Sequence, residues 1–240
     1  MFIRSIILII IFSLSNQILA QNRETSIAAG YLATSGNTNN QSSNASFDTL
    51  WQKLSWQHNI SGSIINSSSE NTTKAEAYAL EWQSNYSNRN SDSYAFIVIS
   101  WDQDKFSAYD DQIRQSFGYG KRIKNTNQYQ LNAEIGLGAR QAKLNDELCS
   151  CEDKIEQDEG IIRVSGNFNW LISETTELQQ SVAVEGGSNN TYFEATTSLD
   201  VNIINNIGLI LSYTLKNNSD VPISRKKTDT YTAISLEYTF

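Results

Sequence analysis

Apolar and polar residues alternate one for one along much of this chain. Counting back from the carboxyl end, Phe240, Tyr238, Leu236 and Ile234 share one face, with Thr232 following; Thr239, Glu237, Ser235, Ala233 and Tyr231 share the other. A period of two marks a β-strand with unlike faces. The same pattern recurs upstream. Ile207, Leu209, Leu211, Tyr213 and Leu215 line up, as do Phe193, Ala195, Thr197, Leu199, Val201 and Ile203 against Tyr192, Glu194, Thr196, Ser198, Asp200 and Asn202. Ile162, Val164, Phe168, Trp170 and Ile172 oppose Arg163, Ser165, Asn167 and Asn169. About twelve such segments are expected, at 24–35, 41–53, 55–66, 72–86, 92–102, 111–123, 127–143, 159–172, 175–187, 190–204, 206–217 and 228–240, with 41–53 and 111–123 the weakest alternators. An even number of long, two-faced strands predicts an all-β fold, a transmembrane antiparallel β-barrel with oil outside and a wet lumen.

The connections fit a barrel with both termini in the periplasm. The expected periplasmic turns are short, at Leu54, Asn88-Arg89-Asn90, Lys124-Asn125-Thr126, Glu174 and Asn205. Longer external loops are expected at 144–158 and 218–227, with a tight turn at 36–39. Trp51, Trp56, Trp82, Tyr94, Tyr129, Trp170 and Phe240 fall near the periplasmic strand ends, where a barrel needs an aromatic girdle. In a soluble β-sandwich the same residues would be core anchors, but strands this long and numerous are unusual there. At the amino end, Arg4, the apolar run Ile6 to Phe12 and Ile18-Leu19-Ala20 read as a secretory signal peptide over 1–20, leaving 21–240 as the barrel.

Composition narrows the reading. One Pro in 240 residues suits uninterrupted strands, since proline cannot donate to a ladder and a closed barrel has no edge to spare. That residue, Pro222, falls in an expected loop. A net charge of −8 argues against a nucleic-acid partner, which would require a basic surface.

Several stretches carry a resemblance. These are Thr34-Ser35-Gly36-Asn37-Thr38, Asp104-Lys105-Phe106-Ser107, Gly118-Tyr119-Gly120, Gly136-Leu137-Gly138-Ala139-Arg140, Gly187-Ser188-Asn189-Asn190-Thr191-Tyr192, Asn218-Ser219-Asp220-Val221-Pro222 and Lys227-Thr228-Asp229-Thr230. Taken together, the chain resembles the salt-induced outer-membrane protein family, the YdiY-like proteins. The resemblance implies an outer-membrane barrel of unassigned activity with a link to salt or osmotic stress, and it brings no catalytic residues. The Cys149-Ser150-Cys151 insertion in an acidic loop departs from the pattern.

Parity nominates Glu81, Arg114, Arg122, Glu134, Arg140, Arg163, Glu185, Glu194, Asp200, Lys216 and Glu237 as lumen charges. Charges there either line a water-filled path or pair and plug it. His58, the only histidine, shares parity with Trp56, Ile60 and Ile64 and should face lipid. There is no Gly-x-Ser-x-Gly elbow to give it a nucleophile, so a non-enzymatic barrel without cofactor is expected. The acids around Cys149 and Cys151 match no EF-hand or zinc spacing, and a cation bridge from that loop to lipopolysaccharide is the sharper alternative to a solvated acidic loop. The expected function is a narrow pore or envelope component in the outer membrane, linked to salt or osmotic stress. The alternatives are a plugged scaffold acting through its external loops and, behind it, a lipid-active enzyme. Expected partners are outer-membrane lipid, lipopolysaccharide and the barrel-assembly machinery, engaged by the last strand ending at Phe240, with the chain itself a monomer.

Overall fold

The structure, a computed structural model, describes residues 22–34, 40–69, 72–88, 91–105, 107–144, 156–222 and 225–240. The expected signal peptide, the turn at 36–39 and the Cys149–Cys151 segment lie outside them. Twelve strands follow one another: β1 (Asn22–Thr34), β2 (Asn40–Lys53), β3 (Trp56–Ser69), β4 (Thr72–Tyr86), β5 (Ser93–Asp104), β6 (Tyr109–Asn125), β7 (Tyr129–Leu144), β8 (Glu156–Ser173), β9 (Thr176–Gly187), β10 (Thr191–Ile204), β11 (Ile207–Asn218) and β12 (Thr228–Thr239). Each pairs antiparallel with its chain neighbours, and β1 pairs with β12 to close a barrel. Every segment expected from alternation is a strand, with ends displaced by three residues or fewer. No helix occurs among the described residues.

Both ends of the described chain lie at one rim, the terminal end; the opposite rim is the far end. Two of the tightest terminal-end turns need a left-handed residue, and Leu54 (φ 55°) and Asn205 (φ 47°) supply it. Asparagine tolerates that region, whereas leucine pays for its Cβ. The expected contrast in loop length holds only in part. The far-end connections at 145–155 and 219–227 are long, but those at 70–71 and 188–190 are short, and the terminal-end connection 87–92 is longer than either.

Strand register assigns the faces. Ile27, Ile64, Leu80, Ile97, Phe117, Ile135, Leu137, Ile162, Leu211, Ile234 and Leu236 stand exposed on the outside, forming an apolar belt. A soluble sheet would bury such residues; an exposed belt this continuous fits a hydrocarbon surround. The aromatic ring near the terminal end is present in Trp51, Trp56, Trp82, Tyr129, Trp170 and Phe240. Tyr94 departs from it: it is 4% exposed and points inward with Phe96 and Val98. The reason lies on the neighbouring strand. Gly120 pairs with Tyr94 and Gly118 with Phe96, so missing side chains on β6 leave room for rings inside the wall.

Gly118 also lets β6 and β7 approach closely. A Cβ there would sit 2.1 Å from the Ile135 carbonyl oxygen, a backbone atom that cannot swing away. Gly118→Val is expected to destabilise the barrel by about 1–3 kcal/mol through overpacking. Leu54→Gly, which relieves the left-handed strain, should stabilise it by about 1 kcal/mol. The midpoint of heat-modifiable gel mobility checks both, and opposite signs are expected.

Candidate functional site

The lumen is where charge collects. On β5, Asp102 receives an ion pair from Arg114 on the adjacent β6 and a 2.8 Å bond from Lys216 Nζ. Lys216 stands on β11, six strands from β5 in either direction around the barrel, so this bridge crosses the bore. Arg114 also lies 3.8 Å from Glu185 on β9, whose other oxygen accepts a 2.6 Å bond from Arg163. The Arg114 guanidinium covers the Tyr192 ring at 4.5 Å, and the Tyr192 hydroxyl donates to Glu194 at 2.5 Å. This is a cation–π contact inside a charge network. Toward the far end the Tyr231 hydroxyl donates to Asp104, and Ser107 Oγ donates to Asp229 at 3.1 Å.

A second group lies beside the first. Arg140, 1% exposed, pairs with Glu159 and donates to the Asn190 carbonyl at 2.5 Å. Glu159 also accepts the Asn189 backbone N–H at 2.7 Å. Ala108, Tyr109, Ala142, Leu144 and Val221 pack over this side as a small apolar cluster. The Tyr109 hydroxyl donates to the Asp220 carbonyl at 3.2 Å. Nearer the terminal end Glu134 accepts bonds from Gln83 (2.8 Å), Tyr94 (2.8 Å) and Ser165 (2.9 Å), drawing β4, β5 and β8 toward β7.

The opposite wall is built largely from small side chains, with the acids Asp48 and Glu81 set among them. Ser26, Ala28, Ser46, Ser61, Ser63, Ala77 and Ala79, on β1 to β4, face inward and leave a cavity of about 760 Å³ between themselves and the charged wall. Among the charges nominated from sequence, Glu81, Arg114, Glu134, Arg163, Glu194, Lys216 and Glu237 line it. Arg140 and Glu185 are sealed in ion pairs beside it. Arg122 sits over the Tyr94 ring at 5.1 Å, near the terminal rim. Asp200 faces inward on β10, opposite Glu177 of β9.

Other participants escaped the sequence reading. Asp102 and Asp104 close β5 where its apolar alternation has already ended. Glu159 opens the segment expected at 159–172, beside the acidic loop, and is the buried partner of Arg140 in β8. Glu24, Asp48 and Glu177 join Asp200 and Glu237 in an inward acidic arc at the terminal end, each within electrostatic reach of another. Strand register sets all three inward: Glu24 pairs with Leu50, Asp48 with Ser26 and Glu177 with Asp200. On the outer wall Lys105 Nζ bonds Glu76 at 2.7 Å, and that carboxylate holds the Lys105 ammonium above its ordinary range. Among the described residues no cluster of His, Cys, Asp or Glu is placed to hold a metal ion.

His58 faces outward. Its ring stacks with Trp51 at 4.9 Å and Trp56 at 5.8 Å, with Trp82 at 6.5 Å. Its Nδ1 is buried without a hydrogen-bond partner. Ser84 lies opposite it in the β3–β4 register.

Removing one member of a buried pair strands the other charge. Arg140→Met is therefore expected to destabilise the barrel by about 3–5 kcal/mol, whereas Arg140→Met with Glu159→Leu should recover most of that loss. Thermal unfolding followed by gel mobility checks the difference.

Comparison with known proteins places the chain. The family described as "Protein of unknown function, DUF481" matches residues 27–240. The "Uncharacterized protein YdiY" of Escherichia coli (strain K12) is 29% identical over 216 residues, covering 90% of this chain and 82% of that protein. Among solved structures, the COG4313 outer membrane channel from Pseudomonas putida F1 aligns with a TM-score of 0.53 at 9% identity, over 94% of this chain and 98% of the other. The translocator domain of autotransporter NalP from Neisseria meningitidis aligns at 0.49 and 10% identity, over 99% and 95%. With a match spanning nearly the whole barrel, this chain belongs to the DUF481 family of unknown function and is one of its YdiY-like members.

Proposed function

We propose that this chain is an outer-membrane β-barrel that carries a narrow, cation-preferring aqueous path. The observation that carries the reading is the asymmetric lumen: a wall of mostly small residues on β1 to β4 faces a wall of paired charges across a cavity of about 760 Å³. A lumen meant only as a scaffold can be filled on all sides with side chains; this one is left open along one side. The carboxylates lining it, among them Asp48, Glu81 and Glu237, outnumber the bases Arg114, Arg163 and Lys216. The acidic arc at the terminal end adds to that excess, and a ring of carboxylates favours cations.

The apolar belt supplies the contact with outer-membrane lipid, and the far-end rim faces lipopolysaccharide. The strand ending at Phe240 offers the handle for the assembly machinery, and a single closed chain needs no second copy. A cation path of this kind fits a role in salt or osmotic adaptation. The plugged scaffold is the second reading, and a specific observation favours it: the Asp102–Lys216 bridge spans the bore.

Purified, refolded protein in a planar bilayer should show discrete cation-selective steps. Asp48→Lys with Glu237→Lys should shift the reversal potential toward anions, lowering the cation-to-anion permeability ratio by about twofold or more. Selectivity unmoved by this double reversal would sink the assignment of the path to this lumen. Silence from a folded barrel, persisting in Lys216→Met, would select the scaffold.

A further inference from the structure

The wall of the barrel is not equally closed all the way round. β1 pairs with β2 from Asn22–Gln52 to Thr34–Asn40, and β12 pairs with β11 from Tyr238–Ile207 to Thr228–Asn217. Between them, β1 and β12 share four residue pairs, Ser26–Thr239 to Ala29–Leu236. Beyond Ala29 on one side and Leu236 on the other, the two strands run on toward the far end with no register between them.

Gly30 marks where they part. A Cβ on Gly30 would lie 1.9 Å from the Ile234 carbonyl oxygen, so only glycine lets β12 pass on the inner side of β1. Asn44 of β2 then reaches behind Gly30 to Ser235 at 2.5 Å. From there β12 leans across the bore, where Tyr231 bonds Asp104 and Asp229 bonds Ser107, both across from it near the end of β5. Lys216 of the same hairpin reaches Asp102, and Val221 packs against the Tyr109 cluster. Through these described residues the far half of the β11–β12 hairpin lies over the bore, while its seam with β1 is unpaired.

The level of the seam matters. Outside, Ile27 on β1 and Ile234, Leu236 and Tyr238 on β12 belong to the apolar belt. Above Ile234 the outward residues of β12 are Thr232 and Thr230, and on β1 the exposed Tyr31 takes the position an amphipathic ring prefers at a headgroup boundary. Unpaired strand edges are untenable in hydrocarbon but stable where water reaches them. The unpaired stretch begins at Gly30 and Ser235, at the upper margin of the belt marked by Ile234, and runs on past Thr232 and Thr230, where water reaches both edges. On the lumen side, Ala28 of β1, Ser46 of β2 and Tyr231 of β12 line the cavity.

We propose that the β1–β12 seam is a lateral port, through which small hydrated solutes, cations foremost, pass from the outer headgroup layer into the lumen. The axial mouth under the β11–β12 hairpin is not their route. This rests on the pore reading above for its permeant and adds the path.

The test uses full-length protein with Cys149 and Cys151 replaced by serine and Ser63→Cys as a reporter in the lumen, reconstituted in proteoliposomes with the far end outward. A charged, membrane-impermeant thiol reagent is added outside. Tyr31→Cys with Ile234→Cys, oxidised to a disulfide, draws the seam together. Ser107→Cys with Asp229→Cys fastens the hairpin instead. Labelling at position 63 should slow severalfold when the seam is locked, recover on reduction and stay unchanged when the hairpin is locked. Labelling slowed by the hairpin lock alone, or by neither lock, overturns the port. Conductance of the same proteins separates the two ideas. A folded barrel that is silent in every form defeats the pore reading, while seam-dependent labelling in that barrel still upholds the port. Conduction indifferent to the seam lock defeats the port and leaves the pore.

Discussion

The structure depends on one constraint: a sheet surrounded by oil must pair its backbone along every edge, so its first strand has to meet its last. Closure turns a local property into a global one. Once β1 meets β12, the alternation within each strand sorts the whole chain into an outside and an inside. An apolar residue at one position then commits its neighbours to the lumen. Register slips are intolerable in such a wall, because a shift by one residue would carry Arg114 or Glu185 into the belt.

That constraint also explains why the interior can hold so much charge. A buried arginine in a small soluble core is a liability, yet here the inward positions of adjacent strands stack into ladders where acids and bases meet by register. Arg163 faces Glu185 across β8 and β9, and Arg140 faces Glu159 across β7 and β8. The wall supplies the partner, so desolvation is offset where the charge is buried. On β1 to β4 many of the same inward positions carry serine and alanine, with Asp48 and Glu81 set among them. Composition, applied strand by strand, makes half of the lumen solid and leaves the other half open.

The fold was legible because its signal is periodic and repeated; twelve alternating runs average out the weak ones at 41–53 and 111–123. The lumen was legible only where charges sat inside clean alternation. Glu194 and Lys216 could be placed by parity, and their register pairing agrees. Asp102 and Glu159 were harder to place, because they are the last and first residues of their expected segments, where the period stops or starts. Tyr94 shows a different limit. Its position near a strand end suggested a girdle residue, but its partner Gly120 lies on another strand, and only the pairing reveals the space that receives the ring. Contacts across the bore, such as Asp102 with Lys216, depend on which strands closure sets opposite one another, and no one-dimensional pattern encodes that.

The seam between β1 and β12 shows closure and access pulling against each other. A fully zipped ladder would satisfy the backbone everywhere but would hold the β11–β12 hairpin upright and leave the axial mouth uncovered. Folding the hairpin across the bore gains the bonds of Lys216, Asp229 and Tyr231 with the β5 side and loses ladder bonds at the seam. The exchange falls at the upper margin of the apolar belt, from Ile234 onward, where water replaces what the ladder gives up. Below that level the four pairs from Ser26–Thr239 to Ala29–Leu236 are kept, and Phe240 extends them with a 2.8 Å bond to the Thr25 carbonyl. The wall is therefore closed where lipid requires it and opened where solvent permits it.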